Sequence, residues 1–89
     1  GTRIGADAVV NTAAVVEHDC VIEDHAFIGP GAVLCGEVTI GAGAFVGAGA
    51  VLLPGVRVGA DAVVGAGSVV IRDLGPGTRS AGNPARGIQ

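Results

Sequence analysis

Branched aliphatic residues recur at every sixth position without an insertion: Ile4, Val10, Val16, Ile22, Ile28, Leu34, Ile40, Val46, Leu52, Val58, Val64 and Val70. Four residues after each stands a mostly small one, among them Ala8, Ala14, Cys20, Ala26, Ala32, Ala44, Ala50, Ala62 and Ser68. A period of six matches neither the 3.6 of a helix nor the 2 of a simple strand. It matches a short strand, a corner and another short strand, repeated indefinitely. The small residue and the next aliphatic are two apart, so both face one side of the same strand, and that side is the core. Three hexapeptides make one coil, and residues eighteen apart stack at about 4.8 Å, the spacing of paired strands. Residues 4 to 75 then give four coils of a thin, parallel, all-β prism.

Composition agrees with a narrow core. The chain has 89 residues, 49% of them hydrophobic, yet only two Phe and no Trp, Tyr or Met, while its 17 glycines suit many repeated corners. One domain is the ceiling at this length, and so short a chain needs help from partners to bury enough surface. The formal charge of -3, with five arginines and no lysine, argues against a nucleic-acid partner. Glycine or a charged residue interrupts every apolar run well short of membrane-spanning length, and no signal-peptide pattern opens the chain, so neither a membrane nor secretion is expected and the cytoplasm is the default. Cys20 and Cys35 lack the spacing of a metal knuckle and are too few for a disulfide scaffold. The chain opens in mid-pattern at Gly1, which reads as a domain cut from something longer.

Stacking by eighteen separates the sides of the prism. The outward residues form three columns: Val9, Phe27, Phe45 and Val63; Val15, Val33, Val51 and Val69; and the mixed set Val21, Thr39, Arg57 and Gly75. Two apolar faces per subunit call for copies of the same chain, and they close naturally as a homotrimer. One corner stacks Asn11-Thr12-Ala13, Gly29-Pro30-Gly31, Gly47-Ala48-Gly49 and Gly65-Ala66-Gly67, an edge almost free of side chains. It is open either to tight subunit packing or to a long thin ligand. Another corner stacks His18, Gly36, Pro54 and Arg72. Beyond Asp73 the period fails, residues 74–78 read as an exit turn, and the tail to Gln89 is expected to cap the last coil, giving a β-helix over 1–75 and a capping segment over 76–89.

The chemistry concentrates at Val16-Glu17-His18-Asp19-Cys20, where one of two histidines lies between carboxylates. An amine or hydroxyl that attacks an acyl carbonyl must lose a proton, and an imidazole is suited to take it near neutral pH. The adjacent Asp19 favours the imidazolium so formed. Glu17 reads as a solvated turn acid, Cys20 as core and Cys35 as a packed thiol. Arg72 and Arg86 stand between ordinary surface charge and a role with ligand phosphates. With only His18 and His25 available, and seven residues apart, a zinc site of three histidines is not expected.

The repeat resembles the hexapeptide-repeat acyltransferases, whose fold is a left-handed parallel β-helix. The hand comes from that resemblance, since the general rule for parallel crossovers gives the opposite one. The tail Gly82-Asn83-Pro84-Ala85-Arg86 is similar to an ending common among them. Val10 to Ile22 and Pro30 to Gly41 resemble, more narrowly, the sialic-acid and UDP-amino-sugar acetyltransferases. The resemblance implies transfer of an acetyl group from acetyl-CoA to a sugar amine or hydroxyl by direct attack. It further implies His18 as general base, Asp19 as its partner, the Gly36 N–H on the acetyl carbonyl, Asn11 near the acceptor, and Ala48 and Ala66 beside the pantetheine arm. Phe27 stands where the group usually carries a second, cofactor-touching histidine, and His25 has no counterpart. The family's amino-terminal sugar-nucleotide domain has no equivalent in these residues. The rival expectation is a trimeric scaffold, or an inactive fragment, that keeps the repeat without catalysis.

Overall fold

In the computed structural model, which describes residues 1–88, the hexapeptides become two-residue strands joined by tight corners. They are β1 (Arg3–Ile4), β2 (Val9–Val10), β3 (Val15–Val16), β4 (Val21–Ile22), β5 (Phe27–Ile28) and β6 (Val33–Leu34). The series continues with β7 (Thr39–Ile40), β8 (Phe45–Val46), β9 (Val51–Leu52), β10 (Arg57–Val58), β11 (Val63–Val64) and β12 (Val69–Val70). Every third strand pairs in parallel, with partners eighteen residues apart, as in Val9↔Phe27 and Val33↔Val51. Three sheets result: β1-β4-β7-β10 on the first side, β2-β5-β8-β11 on the second, and β3-β6-β9-β12 on the third. The prism measures 31 × 21 × 20 Å.

The core is the double column that the period predicts. Ile22, Ile28, Leu34, Ile40, Leu52 and Val64 are buried with Ala26, Ala32, Ala44, Ala50 and Ala62 between them. Small residues mostly stand beside the branched ones in so thin a cross-section, with Val38 and Val56 the larger members of that column. Coils are clamped together by bonds such as Val9 N–H to the Ala26 carbonyl and Val33 N–H to the Ala50 carbonyl, at 2.9 and 2.8 Å. No helix is long and apolar enough to cross a membrane.

Each corner from Ala6-Asp7 to Ala66-Gly67 is a two-residue turn whose second member has positive φ, as a type II turn requires. Glycine fills that place in several coils, but Asp7, Ala13, Asp19, His25, Glu37 and Asp61 fill it in others, with φ between 55 and 64°. The regularity of the coil imposes this backbone on residues that resist it.

The period slips by two residues at the last coil; it does not end there. Leu74 bridges Val58 and Ser80 pairs with Val64, each 16 residues on, where earlier coils have 18. The loss falls between Val70 and Leu74, so Pro76-Gly77 is a further corner, with Gly77 N–H donating to the Ala60 carbonyl at 2.8 Å. Strand β13 (Arg79–Gly82) adds to β11 in parallel, and β14 (Ala85–Gly87) returns antiparallel to it. The tail thus lengthens the second sheet at its end. Ser80 continues the inward column there.

Candidate active site

His18 occupies the first place of a corner and Asp19 the second, so the left-handed backbone at Asp19, φ 57°, sets the two side chains next to each other. Nδ1 of His18 lies 3.2 Å from Oδ2 of Asp19. With its proton on Nδ1 the ring donates to that carboxylate and keeps a lone pair on Nε2. Both side chains are largely exposed, at 70% and 55%. The Gly1 ammonium, 2.8 Å from Oδ1, and then the His18 imidazole hold the Asp19 carboxyl below its usual value.

The eighteen-residue register puts Gly36 directly above His18. The corner is bonded through Glu37 N–H to the His18 carbonyl at 2.9 Å. A Cβ on Gly36 would collide with Nε2 and stand 2.7 Å from Cε1 and 3.0 Å from Cδ2. The imidazole therefore lies over the bare Cα of Gly36, with its basic nitrogen on that side. Among the described residues the Gly36 N–H donates to no group. A base thus lies against a residue whose N–H is uncommitted among the described residues, which suits a reaction that removes a proton and builds negative charge on oxygen.

Cys20 is fully buried, its thiol donating to the Cys35 carbonyl at 3.1 Å. Burial, then the Glu17 carboxylate, then Cys20 push the Cys35 thiol above its ordinary value, so it is protonated at neutral pH and is a poor nucleophile. His25 turns toward Asp7, with Nδ1 3.7 Å from Oδ2, on a different corner from His18. Among the described residues no three His, Cys, Asp or Glu side chains converge as metal ligands would.

The remaining sequence-predicted residues sit elsewhere on the prism. Asn11, Ala48 and Ala66 line the smooth corner between the second and third sheets, and Phe27 projects from the second sheet, stacked on Phe45 with ring centroids 4.9 Å apart. One chain brings together His18, Asp19 and Gly36, and leaves the other four across the third sheet from them. The glycines of the smooth corner have local causes. A Cβ on Gly29 or Gly47 would strike the backbone of the next coil, and Gly31, Gly49 and Gly67 have φ near +70°. Sequence spacing did not link Arg86 to Arg72, because Arg86 lies on β14, outside the period. Both line one cleft at the carboxyl-terminal end.

The family model described as bacterial transferase hexapeptide (six repeats) matches residues 1–36 and again 37–72. Among solved structures, the chain is similar to a histidine mutant of perosamine N-acetyltransferase from Caulobacter crescentus in complex with CoA and GDP-perosamine. Identity is 44% and TM-score 0.98, over 99% of this chain and 42% of that one. It is similar to the acetyltransferase domain of PglB from Neisseria gonorrhoeae in complex with acetyl coenzyme A, at 38% identity and TM-score 0.88, over 98% of this chain and 45% of that one. A serine acetyltransferase from Neisseria gonorrhoeae matches at 31% identity and TM-score 0.92, over 98% of this chain and 39% of that one. No curated protein matches the sequence. The chain spans less than half the length of these three structures. The coil is the left-handed parallel β-helix that the hexapeptide pattern implies.

Proposed function

Because the chain belongs to the bacterial transferase hexapeptide family, we propose that it transfers an acetyl group from acetyl-CoA to an amine or hydroxyl of a sugar, free or nucleotide-linked. The observation that carries this reading is the His18–Asp19 pair set against Gly36, with Nε2 turned toward that glycine. His18 takes the proton of the acceptor as its nitrogen or oxygen attacks the thioester carbonyl. Asp19 holds the ring in the tautomer that leaves Nε2 basic and favours the imidazolium. The Gly36 N–H stabilises the oxyanion. Collapse of the tetrahedral intermediate expels the CoA thiolate, which recovers the proton from His18.

Neighbours solved with CoA or acetyl-CoA support the donor, and the perosamine enzyme supports a sugar acceptor. The serine acetyltransferase shares the same backbone, so the acceptor is set by side chains and not by the coil.

The active assembly is a homotrimer. Asn11, Phe27, Ala48 and Ala66 meet His18 only if the smooth corner of one chain faces the His18 corner of another. Half-exposed Val9 and Phe45 on the second sheet and Val15 on the third give the apolar surface for that contact. The test joins light scattering, calorimetry with acetyl-CoA and thiol release with GDP-perosamine as first acceptor. A trimer that binds acetyl-CoA and releases thiol only when His18 is present supports the reading. A well-folded trimer that binds no acetyl-CoA sinks it and leaves the scaffold.

A further inference from the structure

Above His18 its corner divides two unlike surfaces. On the third-sheet side the outward residues of the next two coils are Val33, Cys35, Val51 and Leu53, all apolar. On the first-sheet side they are Glu37, Thr39 and Arg57. Glu37 is the second member of the Gly36 corner, with φ 64°, and stacks on Asp19 eighteen residues before it, one strand spacing of about 4.8 Å away. Thr39 lies on the outer face of β7 between buried Val38 and Ile40, and Arg57 is its register partner on β10. Among the described residues none of these three side chains has a hydrogen-bonding or ionic partner. Asp73 meets Arg57 only through the backbone N–H.

A carboxylate accepts hydrogen bonds, a guanidinium donates them and a hydroxyl does both. Adjacent hydroxyls on one ring have the same double capacity, so a hydroxylated ring answers the whole row. A phosphate does not, because Glu37 and Asp19 below it repel an anion there. We propose that Glu37, Thr39 and Arg57 form the strip that reads the ring of the acceptor sugar, an assignment that deepens the acyl-transfer reading and rests on it. Glu37 follows Gly36 in the chain, and His18 turns Nε2 toward Gly36. A ring held on Glu37 and Thr39 therefore brings its amine or hydroxyl to the base from the polar side of the corner. The charge beside the base also sets the class of acceptor: the ring carries hydroxyls, not an anionic substituent, next to its reacting group.

The test is calorimetry and thiol-release kinetics on the whole chain and on Glu37→Ala, Thr39→Val, Arg57→Ala and the double variant Glu37→Ala/Thr39→Val. GDP-perosamine, GDP and acetyl-CoA are the probes, and circular dichroism with the thermal midpoint checks that each variant is folded. Affinity for GDP-perosamine is expected to fall about tenfold in Glu37→Ala and in Arg57→Ala, and about threefold in Thr39→Val. Its KM rises in step, while affinities for GDP and acetyl-CoA stay as in the wild type. Undiminished GDP-perosamine affinity in the double variant overturns the strip and leaves acyl transfer intact. An equal loss of GDP affinity shows that the row holds the nucleotide and overturns the assignment to the ring. Loss of acetyl-CoA affinity alone overturns the assignment to the acceptor. A wild type that binds GDP-perosamine no better than GDP overturns the strip as well. If it binds the sugar through Glu37 and Thr39 but releases no thiol, the strip stands and the acyl-transfer reading falls.

Discussion

Asp73 Oδ1 accepts the Arg57 N–H at 2.8 Å, a bond that goes to a backbone carbonyl at each earlier rung of the same sheet. Arg3 donates to Cys20, Val21 to Val38 and Thr39 to Val56. The slip deletes the residue whose carbonyl would serve Arg57, and a side chain supplies the acceptor. Asp73→Ala is expected to lower unfolding free energy by about 1 kcal/mol and Asp73→Asn by less, read from urea denaturation. Equal loss in both variants would show that charge, not the acceptor, matters there.

Gly36→Ala places a methyl where the imidazole lies, so the ring must swing away from its carboxylate. Turnover should fall toward that of His18→Ala, roughly a hundredfold or more below wild type. Because His18 is exposed, His18→Ala should leave the thermal midpoint unchanged. A Gly36→Ala protein with full activity would detach the imidazole position from catalysis.

The Asp19 carboxyl is held below its ordinary value by the Gly1 ammonium and then by His18. A depressed carboxyl stabilises the fold above its unfolded value and loses that contribution as pH falls through the folded one. The contribution is thus complete at neutral pH and fades only below about pH 4. Carbon-13 titration of Asp19 should give a midpoint below the ordinary aspartate range that rises in His18→Ala and in high salt. An unchanged midpoint in both would separate the carboxylate from the ring.

Ala13 carries a left-handed backbone, φ 60°, at a place filled by glycine in the next three coils. Ala13→Gly relieves the clash of Cβ with the backbone but frees the unfolded chain. The net gain is about 0.5–1 kcal/mol, read as a raised denaturation midpoint. A lowered midpoint would mean that the corner does not press on Cβ.

Strands, core columns and the stack of Gly36 on His18 were all legible in the sequence, because one number, the period, fixes every contact eighteen residues apart. What escaped depended on departures from it. The slip after Val70 hid the strand at Arg79–Gly82, whose inward residue is Ser80 where the period would expect an aliphatic. Ser68, also buried, accepts the Gly82 N–H at 3.2 Å and ties that hairpin down, a bond that no spacing rule foretells. The direction of His25 toward Asp7 was equally hidden, since a column fixes a side chain's neighbours but not its rotamer. The left-handed corners at Asp7, His25 and Glu37 carry no glycine to announce them.

A prism whose coils repeat at one rise is a ruler, graduated in steps of about 4.8 Å. Its marks along the His18 edge are His18, Gly36, Pro54 and Arg72. Shifting the imidazole one mark, by Gly36→His with Pro54→Gly to clear the place above it, would shorten the span to Arg72 by one graduation. The distance between the two end marks is written as a count of coils, and adding or removing eighteen residues would change it in whole units without disturbing either end.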